Sequence, residues 1–277
     1  MIPRHTASRY VQPLREGGSL PAVVDTEEGG LFVVKFRGAG QGAKVLVAEI
    51  IVAGLAVALG LRTPDVALVE VSERFGRSEP DPEIQGLLRK SHGTNVGVRY
   101  LDGAFNFDPR AAGELVSPEF AANVVWLDAL STNPDRTARN PNLMIFRRQP
   151  WLIDHGAALY AHHDWSSVDD TRTRTSFPLI RSHVLLAVAG DLIASDSENA
   201  AKLQAAAIAD VIAAVPDELL MDSVTGAPDF ITADEARARY ARYLVERIQH
   251  RSGWLAEAVR AQEQLRIEAP QHLKARR

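Results

Sequence analysis

The stretch "KVLVAEIIVAGLAVALG", residues 44–60, constrains the fold more than any other part of the sequence. Leu46, Ile50, Leu55 and Leu59 recur at helical spacing on one face, and Gly60 stands where a helix C-cap belongs. Glu49, Gly54 and Gly60 interrupt the apolar run, which is too short and too broken to span a membrane. It therefore reads as a core helix. A carboxylate among such neighbours needs a partner, because burying it unpaired is costly. Lys35, on the preceding strand-like run "LFVVKF" (31–36), carries the charge that could meet Glu49.

Around this helix the first hundred residues read as strands. "RYVQPL" (9–14), "LPAVVD" (20–25) and 31–36 are separated by the turns "REGGS" and "TEEGG". A glycine-rich loop, 37–43, leads into the helix, and strands follow at 64–71 and 96–103. Residues 72–92, with Pro80 and Pro82, read as a loop. The second half is mostly helical. Ser117 and Pro118 open a helix over 117–132, short strands are expected at 142–146 and 150–154, and a polar loop covers 157–177. Helices are expected at 178–194 and at 197–215, the latter closed by Pro216. Thr232 and Glu235 form a capping box before a long helix that bends or ends near Gly253. The expectation is an α+β chain. Residues 1–103 form a small N-terminal lobe of antiparallel sheet with one helix, and residues 104–277 form a larger helical lobe.

Charge and composition exclude several roles. The chain has 277 residues, a net charge of −4 and a pI near 6.1, so no global basic field attracts nucleic acid. Without cysteine it can form no disulfide and no thiolate metal site, and its first residues lack the apolar core of a signal peptide. A cytoplasmic protein that binds neither nucleic acid nor membrane is expected.

The chemistry-bearing residues come in a set order. Gly17, Gly18 and Ser19 sit in a turn whose backbone N–H groups can approach phosphate. Lys35 on its strand can bridge phosphate oxygens, and Glu49 can hold it in place. Then comes "STNPDRTARNPNLMIFRRQPWLIDHGAAL", residues 131–159. Asp135 and Asn140 have the Asp-x4-Asn spacing of a kinase catalytic loop, and Asp154-His155-Gly156 has the form of its metal-binding Asp-x-Gly. Asp135 would orient or deprotonate a hydroxyl, while Asn140 and Asp154 offer hard oxygen ligands for Mg²⁺. Each feature alone has a plainer reading. Lys35 can be an edge-strand lysine, and Gly38, Gly40 and Gly42 a merely flexible loop. Trp126 reads as structural, and Asp128 either supports the catalytic loop or lies on a solvated helix face. His155, His162 and His163 lack clean zinc spacing.

Taken together, "LFVVKF", "AEIIVAGLAVALGL", "WLDALSTNPDRTARNPNLMIF" and "WLIDHGAAL" resemble the bacterial HipA-like kinases over roughly residues 10–195. The resemblance implies a two-lobed protein-kinase-like fold that uses ATP and Mg²⁺ to phosphorylate serine or threonine of a protein. It implies that Lys35 contacts ATP phosphates, that Asp135 is catalytic, and that Asn140 and Asp154 bind metal. It also makes Tyr100, Leu101 and Asp102 the hinge facing adenine and ribose. Thr137 departs from the pattern, standing where toxin members carry histidine. Two other readings stay open. One is a small-molecule phosphotransferase of the aminoglycoside or choline type, with Asp164, Asp169 and Asp170 lining an acidic pocket. The other is a non-catalytic nucleotide-binding module, regulated by its own loop or by a separately encoded partner protein.

Overall fold

The computed structural model describes residues 1–14, 20–40, 42–77, 79–224 and 226–268. Five strands form a closed barrel: β1 (Arg4–Pro13), β2 (Ala22–Thr26), β3 (Leu31–Lys35), β4 (Val66–Val71) and β5 (Gly93–Arg99), in the order β1-β2-β3-β5-β4. Alternation along the strands fills the barrel from one face only. Val24, Phe32, Val34, Ala67, Val69 and Val71 point into one buried cluster. Lys35, one residue on from Val34, consequently faces the other way.

The strands were expected to form an antiparallel sheet with one helix, and both parts need correction. The pairs β1–β2, β2–β3, β3–β5 and β4–β5 are antiparallel, but β1 runs parallel to β4, with Arg4 opposite Leu68 and Thr6 opposite Glu70. That pairing uses up backbone groups that an open sheet would leave at its edges. Inside the expected 72–92 loop lies a helix, α2 (Pro82–Lys90), which follows α1 (Ala43–Leu59) in the chain. Its N-cap Asp81 accepts from Glu83 and Ile84 N–H, and Pro82 occupies the first turn, where its missing N–H costs nothing.

Helix α1 is buried over most of its surface, among its buried residues Leu46, Glu49, Ile50, Val52 and Leu55, with Val57 exposed near its end. A helix apolar all round needs cover all round. The barrel supplies one side, and the helical part of the chain supplies the rest. Gly60 takes φ 83° at the C-cap, and its N–H reaches the carbonyls of Ala56 and Val57.

After β5 the chain forms β6 (Phe105–Asn106), α3 (Ala112–Leu115), α4 (Pro118–Ser131), and the hairpin β7 (Leu143–Phe146) and β8 (Gln149–Leu152). β6, β7 and β8 make a small antiparallel sheet. The short α5 (Asp170–Thr173) is followed by α6 (Leu192–Lys202), α7 (Ala205–Ala213), α8 (Asp217–Leu220), α9 (Ala233–Gln249) and α10 (Ser252–Glu268). Ser117 and Thr232 cap α4 and α9 as expected, and α9 gives way to α10 just before Gly253. The expected helix over 178–194 is instead two 3₁₀ turns, Pro178–Ser182 and Leu186–Val188. Between them His183 is drawn into a buried polar cluster, and Val184 N–H bonds the Arg136 carbonyl. The expected 197–215 helix is two helices, the first starting earlier because Asp191 caps it.

No helix among the described residues is long and apolar enough to cross a membrane.

Candidate active site

The site begins on β3. Because Lys35 lies on the outer face of the barrel wall, its side chain runs to α1. Its Nζ lies 2.6 Å from Glu49 Oε2 and 2.6 Å from Asp154 Oδ1. Lys35 is only 7% exposed and Glu49 1%. The partner that α1's buried carboxylate required is therefore the expected lysine. Burial by itself would push the Lys35 ammonium toward its neutral form, but Glu49 and Asp154 outweigh it and raise its pKa above the usual lysine value. Burial likewise favours a neutral Asp154, yet Lys35 and the Gly156 N–H hold its carboxyl below the usual range. Glu49 also anchors the main chain: its Oε2 accepts the His155 N–H at 2.8 Å and so fixes the segment that follows Asp154.

Asp154 sits at φ 53°, a left-handed conformation that aspartate tolerates better than most residues. Such a conformation costs energy and persists where its surroundings enforce it. Gly156 shows how close the enforcement is: a Cβ there would lie 2.5 Å from Val45 Cγ1 and 3.4 Å from Lys35 Nζ. Gly156→Ala is expected to destabilise the protein by about 1–3 kcal/mol through this overlap. Val45→Ala in the same chain should recover part of the loss, and urea unfolding of the single and double variants measures both.

The second cluster lies on the loop after α4. Asp135 is half-buried, and its Oδ2 accepts from Asn140 Nδ2 at 2.8 Å and from Asn142 Nδ2 at 3.2 Å. Its own N–H donates to Asn133 Oδ1 at 3.1 Å. Asn140 is exposed, whereas Asn142 is buried.

A fully buried hub joins the two clusters. Asp128, in the last turns of α4, accepts from Arg136 Nε at 2.6 Å and from Asn133 Nδ2 at 3.1 Å, and His183 Nε2 lies 3.0 Å from the same carboxylate. Burial opposes the Asp128 charge, but Arg136 and His183 prevail and its pKa is strongly lowered. The Arg136 guanidinium also donates to the Asn142 carbonyl and, at 3.5 Å, to the Ile153 carbonyl beside Asp154; it lies 3.4 Å from His155 Nδ1. One arginine thus braces the Asp135 loop against the Asp154 segment. Of the two sequence readings of Asp128, support of the loop is the one observed. Sequence reasoning does not single out Arg136. Its one signal is its position directly after Asp135, eight residues from a carboxylate in an apolar helix.

The same support extends to α9. Arg247, 1% exposed, donates to the carbonyls of Ala129 and Leu130 at the end of α4, and to those of Thr173 and Thr175 in the polar segment beyond Asp154. A cation at the end of a helix also complements its dipole. Trp126 is structural as expected, donating from Nε1 to Asp196 and meeting Trp254 edge-on.

The remaining sequence candidates fall elsewhere. Tyr100, Leu101 and Asp102 follow β5 at the end of β3 opposite Lys35, where Tyr100 N–H bonds the Leu31 carbonyl. Gly17, Gly18 and Ser19 lie outside the described residues. Asp164, Asp169 and Asp170 are engaged locally: Asp164 accepts from Ser166, Asp169 caps α5, and Asp170 pairs with Arg174 and Arg242. His162 is buried against the Tyr240 hydroxyl, and His155 packs behind Asp154. Among the described residues no three histidine or carboxylate side chains gather as a metal cluster.

A closed strand unit feeding a core helix, then a helical region that carries paired acidic loops, is the architecture of a kinase. The structure of a proinflammatory kinase from Helicobacter pylori, CtkA, matches it with a TM-score of 0.55 at 12% identity, covering 95% of this chain and 99% of that one. The family model described as HipA-like kinase matches residues 8–250, and the chain belongs to that family. No curated protein matches it. Family and fold together support kinase activity in general.

Proposed function

We propose that the chain is an ATP- and Mg²⁺-dependent kinase that phosphorylates serine or threonine of a protein. The observation that carries this reading is Lys35, held at 2.6 Å by both Glu49 and Asp154, with Arg136 joining the Asp154 segment to the Asp135 loop. In this reading residues 1–103 form a nucleotide-binding lobe, and the mainly helical residues 104–277 carry the catalytic loop and the metal-binding Asp154. The proposed division falls at Gly103, which lies at φ 79° between β5 and β6.

The donor set suits magnesium. Asp154 keeps its side chain 42% exposed although one oxygen is pinned, and Asn140 is exposed, so hard oxygen ligands remain presentable to a cation. Magnesium bound there would neutralise phosphate charge. Lys35 is fixed in its charged form and adds a second positive centre. Gly17, Gly18 and Ser19 would lie against phosphates, and Tyr100, Leu101 and Asp102 against adenine and ribose. Asp135 would accept the proton of the acceptor hydroxyl as that oxygen bonds the γ-phosphorus and the bond to the departing ADP breaks. Its anchoring by Asn133, Asn140 and Asn142 supplies the positioning on which phosphoryl transfer mainly depends. A protein acceptor is favoured over a small cation because Asp164, Asp169 and Asp170 already have partners, Asp164 and Asp169 in their own loop and Asp170 in Arg174 and in Arg242 of α9. The absence of cysteine and the acidic pI fit a cytoplasmic site of action without nucleic acid, alone or with a separately encoded partner protein.

The first test is thermal unfolding with and without Mg-ATP. A ligand bound only to the folded state contributes about 2.7 kcal/mol at a hundred times its Kd. A magnesium-dependent rise of several degrees is expected for the wild type and should be absent in Asp154→Ala. No rise at millimolar Mg-ATP would overturn the nucleotide site.

A further inference from the structure

We infer that Asn142 is a positioning residue for Asp135, and that it, rather than Asn140, is the fixed anchor of the catalytic carboxylate. The inference rests on the kinase reading above. Both amides reach the same oxygen, Oδ2: Asn140 at 2.8 Å and Asn142 at 3.2 Å. The shorter bond comes from the less constrained residue. Asn140 is exposed, and its backbone ties are local, to Thr137. Asn142 is 7% exposed, and its carbonyl accepts both the Arg136 guanidinium and the Ile153 N–H. Its main chain is therefore clamped between the buried hub and the segment that presents Asp154. Whatever Asn140 does when a cation is present, Asn142 cannot move without disturbing that clamp.

The backbone of Asn142 adds a second argument. It sits at φ 47°, in the left-handed region that few side chains other than asparagine and aspartate enter readily. This conformation turns the side chain back over the loop toward Asp135 while the carbonyl stays on Arg136. A hydrogen bond to a carboxylate is stronger than one between neutral groups, and it fixes which oxygen of Asp135 remains free to take a proton. Asn142 thus sets the direction of the carboxylate and does not touch the reacting atoms.

The left-handed backbone permits a clean experiment. Asn142→Gly keeps the conformation at no steric cost and deletes the amide. Asn142→Asp keeps the size and the conformational tolerance but sets a negative charge against Asp135. ADP formation from Mg-ATP, with water and casein as acceptors, is measured for both, alongside Asp135→Asn and thermal midpoints. Positioning predicts a kcat about tenfold lower for the glycine variant and lower still for the aspartate variant, with KM for Mg-ATP within twofold of wild type. A purely structural role predicts that kcat falls only in proportion to a lowered thermal midpoint; an unchanged kcat in whichever variant keeps the wild-type midpoint overturns the inference. So does turnover within twofold of wild type in both variants while Asp135→Asn is dead. If Asp135→Asn is itself active, or the wild type forms no ADP, the kinase reading fails and the positioning role falls with it.

Discussion

Asp135→Asn is expected to lower phosphoryl transfer about a thousandfold and to leave the fold intact. Removing a positioned general base typically costs two to four orders of magnitude. The new side chain has the same shape and sits in the same half-buried place, but an amide cannot accept the hydroxyl proton. The neighbouring donors Asn140 and Asn142 can still meet the amide oxygen, so little folding energy is lost. Unfolding midpoints within a degree or two of wild type, beside near-zero single-turnover transfer, are the expected pair of results. Full turnover in the variant would remove Asp135 from the reaction.

Asp128→Asn should produce the largest loss of stability of any single substitution in the site. Asp128, Arg136 and His183 are buried together, and the carboxylate is the counter-charge in that group. Neutralising one member of a buried ion pair costs about 3–5 kcal/mol, because the remaining charge stays desolvated. For a chain of this size that is a fall of roughly 10 °C in midpoint. Activity should fall as well, since Arg136 braces both the Asn142 carbonyl and the Ile153 carbonyl. Arg136→Met added to Asp128→Asn removes the stranded charge and should return part of the stability, though not the activity. A loss below about 1 kcal/mol in Asp128→Asn would mean the hub contributes little to stability.

The sequence discloses this site unevenly, for physical reasons. The Lys35–Glu49 pair is legible because a buried carboxylate in an apolar helix has few solutions, and a lysine on the preceding strand is one of them; Asp154 is singled out by its Asp-x-Gly form. Asp135 and Asn140 are legible through their spacing. The Asp128–Arg136–His183 hub is legible only in part: Asp128 and Arg136 lie eight residues apart, but His183 arrives from 55 residues away and has no local pattern. His183 also explains why helical periodicity misleads over 178–194: the chain there bends to deliver a side chain to Asp128. Helix α2 escapes the sequence reading for a local reason. Proline-rich polar stretches read as loops, although Asp81-Pro82 is also a sound helix start. The parallel closure of β1 on β4 depends on pairing across more than sixty residues, and strand propensity carries no information about it.

Arg247 has a bearing on how the molecule comes into being. A ribosome emits Asp135 and Asp154 well before α9. At ~5–20 residues per second, roughly ten seconds separate the catalytic loop from Arg247. Until then the carbonyls of Ala129, Leu130, Thr173 and Thr175 lack the Arg247 donors that meet them in the folded chain. The nascent polypeptide thus carries every acidic group of the site before it carries the cation that sets their scaffold. Docking of α9 is therefore the late event that ties the end of α4 to the 173–175 segment.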